Sequence, residues 1–199
     1  MSLAVVRSRA QLGVHAPLVT VETHLSNGMP QLSIVGLPET AVKESKDRVR
    51  SALLNAGFDF PPKRITINLA PADLPKEGSH YDLPIALGLM AAIGAVPPDA
   101  LANFTVVGEL GLDGSLAPVA GVLPAAIAAN AQEHGLICPA ACGAEAAWAS
   151  PEMEIIAPRS LIQLANHLRG TQVLSRPVPK IGAPQESSLD LADVRGQES

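Results

Sequence analysis

The stretch Leu83 to Val96 contains no charged or hydrogen-bonding side chain, and it limits what this chain can become more than any other segment. Asp82 precedes it and Pro97-Pro98 follows it, so it falls short of the roughly 18 to 20 apolar residues that span a bilayer. No transmembrane segment is expected. The spacing predicts instead a buried helix from Leu83 to Ile93, with Asp82 able to cap its start and Pro84 suited to its first turn. Aromatic residues make up only 3% of the chain, so Ala, Val, Leu and Ile must pack around this helix, a composition that suits helices laid tightly on a sheet. The 199 residues are enough for one well-buried domain and a tail.

That sheet is legible along the chain. Ala4 to Arg9, Leu18 to His24 and Gln31 to Val35 read as strands, with β-branched residues alternating with polar ones in the second. Asn27-Gly28 reads as a hairpin turn joining the second to the third. Thr40 to Ala56 is an amphipathic surface helix: Val42, Val49 and Leu53 share one face, and Gly57 supplies the stop. A strand at Ile65 to Leu69 and a loop through Pro71, Pro75 and Gly78 lead to the apolar helix. Beyond it the pattern predicts a strand at Phe104 to Val107, a turn at Asp113-Gly114 and a short strand near Leu116. A helix over Val122 to Glu133, a strand at Leu136 to Cys138 and a small helix over Ala144 to Ala149 follow. A strand at Glu154 to Ala157 and a helix over Ser160 to Leu168 end the series. Strand and helix alternate throughout, so the expected class is α/β, with α+β-type layering of helices on a mixed sheet, over residues 1–169. Residues 170–188, with Pro177, Pro179 and Pro184, read as an extended linker.

The formal charge of -5 argues against a dedicated nucleic-acid-binding domain. The charge is unevenly spread. Between Glu39 and Arg64 six basic residues face four acidic ones, a local balance of +2 that leaves -7 for the rest. The opening MSLAVVRSRAQLG places arginines where a signal peptide needs its apolar run, which predicts a cytoplasmic protein. Cys138 and Cys142 are too few for a disulfide framework. With His134 they sit four apart, but Pro139 and Gly143 would break the helix needed to gather them and a fourth ligand is missing, so no metal site is expected.

Three segments carry a family resemblance: SIVGLPETAVKESKDRVRSAL (Ser33 to Leu53), INLAPADLPKEGSHYDLPIAL (Ile67 to Leu87) and VVGELGLDGSLAPVAGVLPA (Val106 to Ala125). Together they resemble the magnesium-chelatase-like, ComM-type competence protein family, including its YifB-like members. The resemblance implies an amino-terminal domain of the Lon-protease-like, ribosomal-protein-type βαβ fold, then an AAA+ ATPase module, then a carboxy-terminal domain. It implies a hexameric motor driving DNA branch migration with ATP and Mg2+. Leu189 to Gln197 resembles the entry segment of such a module, so Val194, Gly196 and Gln197 would line its adenine pocket, and the chain would stop just as that module begins. The phosphate loop G-x-x-x-x-G-K-[ST] occurs nowhere in these residues, so no cofactor is expected in this fragment and no ATP hydrolysis by it.

Lon proteases carry a Ser–Lys dyad, and the resemblance can be followed to its positions. Pro75-Lys76-Glu77-Gly78 matches the start of the nucleophile segment Pro-Lys-Asp-Gly-Pro-Ser-Ala-Gly, and registering Ile85-Ala86 puts Asp82 at the nucleophile. Matching Ala117 to Val122 with the segment before the lysine puts Leu123 at the base. A carboxylate and an aliphatic side chain cannot carry out serine attack assisted by an amine. Ser79, beside His80 and three residues after Lys76, is the one local substitute to weigh, and the alternative reading is a displaced peptidase dyad.

The basic stretch sets a second question. Lys43, Lys46, Arg50 and Lys63 offer a face on which DNA phosphates could sit, with Phe58 and Phe60 the only nearby aromatics for stacking. The other reading is a solvated face supported by Glu39–Lys43 and Glu44–Arg48 pairs at helical spacing, available to a neighbouring subunit or the ATPase ring. The expectation is a non-catalytic regulatory or assembly domain whose partners are its own AAA+ module and neighbouring subunits of a homo-hexamer. DNA would be a partner of the full-length protein, and a chelatase-type motor subunit is a further alternative.

Overall fold

The computed structural model describes residues 2–180. Seven strands form one mixed sheet: β1 (Ser2–Arg9), β2 (Leu18–Ser26), β3 (Gln31–Val35), β4 (Arg64–Ala70), β5 (Phe104–Val106), β8 (Gly135–Ile137) and β9 (Ile155–Ile156), in the order β3-β4-β2-β1-β5-β8-β9. β2 runs antiparallel to β1 and β4, and the remaining neighbours are parallel. A separate two-stranded ribbon joins β6 (Glu109–Leu110) to β7 (Leu116–Ala117). The helices are α1 (Thr40–Lys43), α2 (Ser45–Asn55), α3 (Asp82–Ala92), α4 (Val122–Ala131), α5 (Gly143–Ala146) and α6 (Leu161–Arg169). The mixed α/β class read from the sequence is therefore present. Among the described residues no helix is long and apolar enough to cross a membrane.

The two halves of the sheet are covered differently. In β2 and β4 every second residue is buried, including Val19, Val21, Thr23 and Leu25, then Ile65, Ile67 and Leu69. One face of this half packs on α2 and α3, and the other is open, as antiparallel sheets allow. β8 and β9 are buried on both sides. Ile137 and Ile156 join the core with α3 and α6, while Leu136, Cys138 and Ile155 join a second core beneath α4 and α5. The apolar helix α3 is the hub: Leu83 to Met90 are all buried, as a helix without a polar face requires.

Three local expectations are corrected. Asn27-Gly28 does not close a hairpin, because β4 lies between β2 and β3 and pairs with both. The helical crossover from β3 returns the chain parallel to it, so β4 occupies the edge of β2 that a hairpin would have used. The true hairpin joins β1 to β2 across residues 10–17. The helix expected over Thr40 to Ala56 divides at Glu44 into α1 and α2. Asp82 does not cap α3: it is its first residue, Tyr81 holds the cap position, and the carboxylate points elsewhere. After α6, residues 171–180 contain no helix or strand, yet they are anchored: Arg176 donates to the carbonyls of Met153 and Ser150, and Leu174 N–H donates to His167 Nδ1.

Candidate functional site

Asp82 lies at the meeting point of three elements and is fully buried. Oδ1 accepts from Ser45 Oγ at 2.5 Å and from Arg48 Nη2 at 3.1 Å. Oδ2 accepts from Arg48 Nε at 2.6 Å and from Leu110 N–H at 3.1 Å. α2 supplies three of these four donor atoms, from Ser45 and Arg48, and β6 the fourth. Beside the cluster, Leu83 N–H donates to Gly108 O and Gly108 N–H to His80 O, which fixes the start of α3 against the β5–β6 connection. The hydrogen bond to Asp82 is the main cause holding the Arg48 guanidinium more firmly protonated than usual. Arg48 also meets Glu44 at 3.5 Å, the helical pair expected from sequence, but its stronger partner lies 34 residues away. The carboxylate at the nucleophile position is thus saturated by donors. Leu123, at the base position, sits in the first turn of α4 and lines a shallow apolar depression with Val14, His15 and Ile127.

The substitutes near the dyad positions face separate partners. Ser79 Oγ donates to Glu109 Oε1. Lys76 is fully buried and its ammonium donates to the carbonyls of Gly36 (2.7 Å) and Pro71, while burial lowers its pKa. His80 is buried with Nε2 on Arg9 O at 2.8 Å, and burial pushes its pKa down to about 4. No hydrogen bond joins Ser79 to Lys76 or His80 among the described residues. Ser79, His80 and Glu109 do line a depression of about 290 Å³ with Gln11 and Val119. Lys76 acts in the fold as a tie, since its main chain also donates to Leu37 O and accepts from Glu39 N–H. Gly36 makes the tie possible: its φ is 108°, and a Cβ there would lie 2.2 Å from Leu69 O.

Cys138 and Cys142 are both buried in the second core, and burial raises both thiol pKa values. Among the described residues no group of three His, Cys, Asp or Glu side chains is placed to hold a metal. Val194, Gly196 and Gln197 lie outside the described residues.

The four basic residues singled out from sequence border two adjoining depressions, both beside the strand Gln31–Val35, which the sequence reading did not connect with them. Lys43 and Lys46 border one depression of about 280 Å³ whose floor is Gln31 to Ile34. Arg50 and Lys63 border a second, of about 220 Å³, that shares Gln31 and Leu32. Both run along β3, the strand at one edge of the sheet. One face of Phe60 is taken by the Arg50 guanidinium, which lies 5.1 Å from its ring centre. Arg169 stands over Phe58 in the same way, at 5.9 Å.

Comparison with known proteins completes the picture. The pattern of the ChlI subunit of Mg-chelatase matches residues 21–142. Over its whole length the chain is 48% identical to protein YifB of Salmonella typhimurium and 46% identical to that of Escherichia coli, covering 39% of each. It is likewise 48% identical to competence protein ComM of Haemophilus influenzae, covering all of this chain and 40% of that protein. The chain therefore spans about two fifths of the length of these relatives.

Proposed function

This chain belongs to the family of the ChlI subunit of Mg-chelatase and stands within it beside the ComM and YifB proteins, and from that membership we propose that residues 1–169 are a non-catalytic regulatory or assembly domain of a larger ATP-driven motor. The observation that carries the reading is the match to a competence protein along the entire chain but only 40% of its partner, so that the motor parts belong to the remainder. The fold is of the Lon-protease-like kind. Residues 170–188 link it to an AAA+ module entered at Leu189, whose adenine pocket includes Val194, Gly196 and Gln197. The motor is a cytoplasmic homo-hexamer that uses ATP and Mg2+ to move branched DNA during uptake and recombination.

The geometry supports a non-catalytic role. Asp82 has spent its lone pairs on Ser45, Arg48 and Leu110, and the Lys76 amine is spent on two main-chain carbonyls. The amine and imidazole that could stand in for the missing base are turned elsewhere, Lys76 to main-chain carbonyls and His80 to Arg9 O, which leaves Ser79 only the weakly basic carboxylate of Glu109. The test uses the full-length protein with and without residues 1–169. Deletion is expected to preserve basal ATP hydrolysis while reducing ring assembly, read by native mass, and branch migration on a synthetic four-way junction. Unchanged assembly and unchanged branch migration would remove the regulatory role. The match to ChlI keeps a chelatase-type motor subunit as the second reading, and ATP-dependent insertion of Mg2+ into a porphyrin by the full-length protein with its partner subunits would favour it.

A further inference from the structure

The sheet ends on a two-residue strand, β9, at one side and on the five-residue β3 at the other. Near β9, Arg176 ties down the carbonyls of Met153 and Ser150, and Pro177 sits against Gly143. At the other rim no described strand pairs with the outer side of β3. Gln31 N–H donates inward to Lys63 O at 3.3 Å, and in a parallel ladder alternate residues bond the same neighbour. The amide and carbonyl groups of Leu32 and Ile34 therefore point away from β4. β3 itself, Gln-Leu-Ser-Ile-Val, carries neither charge nor proline, the devices by which natural edge strands repel new partners. Beyond Val35 the edge closes, because Lys76 bonds Leu37 and Glu39.

We infer that the outer edge of β3 is a docking site for an extended polypeptide segment in which acidic residues alternate with aliphatic ones. The main chain of Leu32 and Ile34 would form the ladder, the acidic side chains would face the cations that border the two depressions, and the aliphatic ones would face the opposite side of the sheet. Charge selects the occupant. Lys43, Lys46 and Arg50 are exposed along the rim and Lys63 closes its end; among the described residues none of the four forms an ion pair, Glu44 is engaged by Arg48, and the exposed Glu39 and Asp47 reduce the positive excess without cancelling it. The same rim disfavours the obvious competitor, a second copy of β3 paired edge to edge, because two sets of these cations would face each other. Nucleic acid is the less favoured occupant: phosphates would use the cations but leave the unpaired amides and the half-buried Leu32 and Ile34 without a role. The inference rests on the sheet edge and stands whether or not the parent protein is a DNA motor.

The test uses the full 199-residue chain and a labelled heptapeptide alternating Asp or Glu with Val or Ile. Saturable binding with Kd below about 1 mM is expected by fluorescence anisotropy. The matching Lys-containing peptide should bind at least about tenfold more weakly, and so should the acidic peptide to the Lys43→Glu/Lys46→Glu variant. Backbone N-methylation gives the decisive contrast. Methylating the residues of one parity should abolish binding and methylating the other should not, while amide NMR signals of Leu32 and Ile34 shift on titration. Three results would overturn the inference: no saturable binding, equal sensitivity to both methylation patterns, or duplex DNA binding the same residues more tightly than the peptide at equal salt.

Discussion

Arg48 reaches across 34 residues of sequence to place its Nε 2.6 Å from Oδ2 of Asp82, and this contact joins the surface helix to the buried one. Asp82 is fully buried while Arg48 is partly exposed, so the two are unequal partners. Removing the arginine strands a carboxylate in the interior. Removing the carboxylate leaves Ser45 Oγ and Leu110 N–H without their acceptor, both neutral, and a cation that can still turn to Glu44 and water.

Arg48→Met is accordingly expected to destabilise the fold by about 3 to 5 kcal/mol, the cost of an unpaired buried charge, and Asp82→Leu by less. The double variant should be more stable than Arg48→Met alone. Urea unfolding of all four proteins gives the coupling energy, and additive losses would show that the pair is not linked in this way.

Lys76 gives a different outcome, because its partners are neutral carbonyls. Lys76→Met keeps the aliphatic stem but leaves Gly36 O and Pro71 O without the ammonium. A loss of about 2 kcal/mol is expected from two acceptors left buried. Hydrogen exchange should accelerate at the main-chain amides of Lys76 and Glu39, whose bonds tie the loop to residues 37–39. If exchange stays slow there, the ammonium does not hold the tie.

Much of the fold was legible because burial imposes a period. The strands Leu18 to His24 and Ile65 to Leu69 alternate, and α3 shows no polar face, so each declared its environment locally. Strand order was not legible. Asn27-Gly28 has the chemistry of a hairpin, but whether β2 meets β3 depends on β4, which begins only at Arg64, taking the place between them. Asp82 misled for a similar reason: beside an apolar helix a carboxylate reads as a cap, and the competing donors, Ser45, Arg48 and Leu110 N–H, are all distant in sequence. The basic residues were found from composition, but their common neighbour, β3, was hidden because five uncharged residues look the same in an edge strand as in a central one.

The contact between α3 and β2 is close enough to predict a compensating pair. A Cβ at Gly88 would lie 2.4 Å from Thr23 Oγ1, and Thr23 is wholly buried with its hydroxyl unpartnered among the described residues. Gly88→Ala should cost about 1 to 3 kcal/mol through overpacking, despite alanine's better helix propensity. Adding Thr23→Ala removes the clashing atom and should recover most of the loss in thermal unfolding. A double variant no better than Gly88→Ala would mean that the helix shifts as a whole.

His80 makes stability depend on pH in a predictable direction. Its ring is buried against Arg9 O, and its folded pKa of about 4 lies below the ordinary value of 6.5. Above pH 6.5 both folded and unfolded chains hold it neutral, and its contribution is fully present. As pH falls below 6.5 the unfolded chain takes up a proton that the folded chain refuses, so stability declines until about pH 4, below which both forms are protonated. The full span corresponds to about 3 kcal/mol at most. His80→Gln keeps a donor for the Arg9 carbonyl without the titration, and carboxylates elsewhere titrate equally in both proteins. The difference in unfolding free energy between wild type and variant should therefore shrink or reverse from pH 7.5 to pH 4.5. A constant difference across that range would show that His80 is protonated alike in both states.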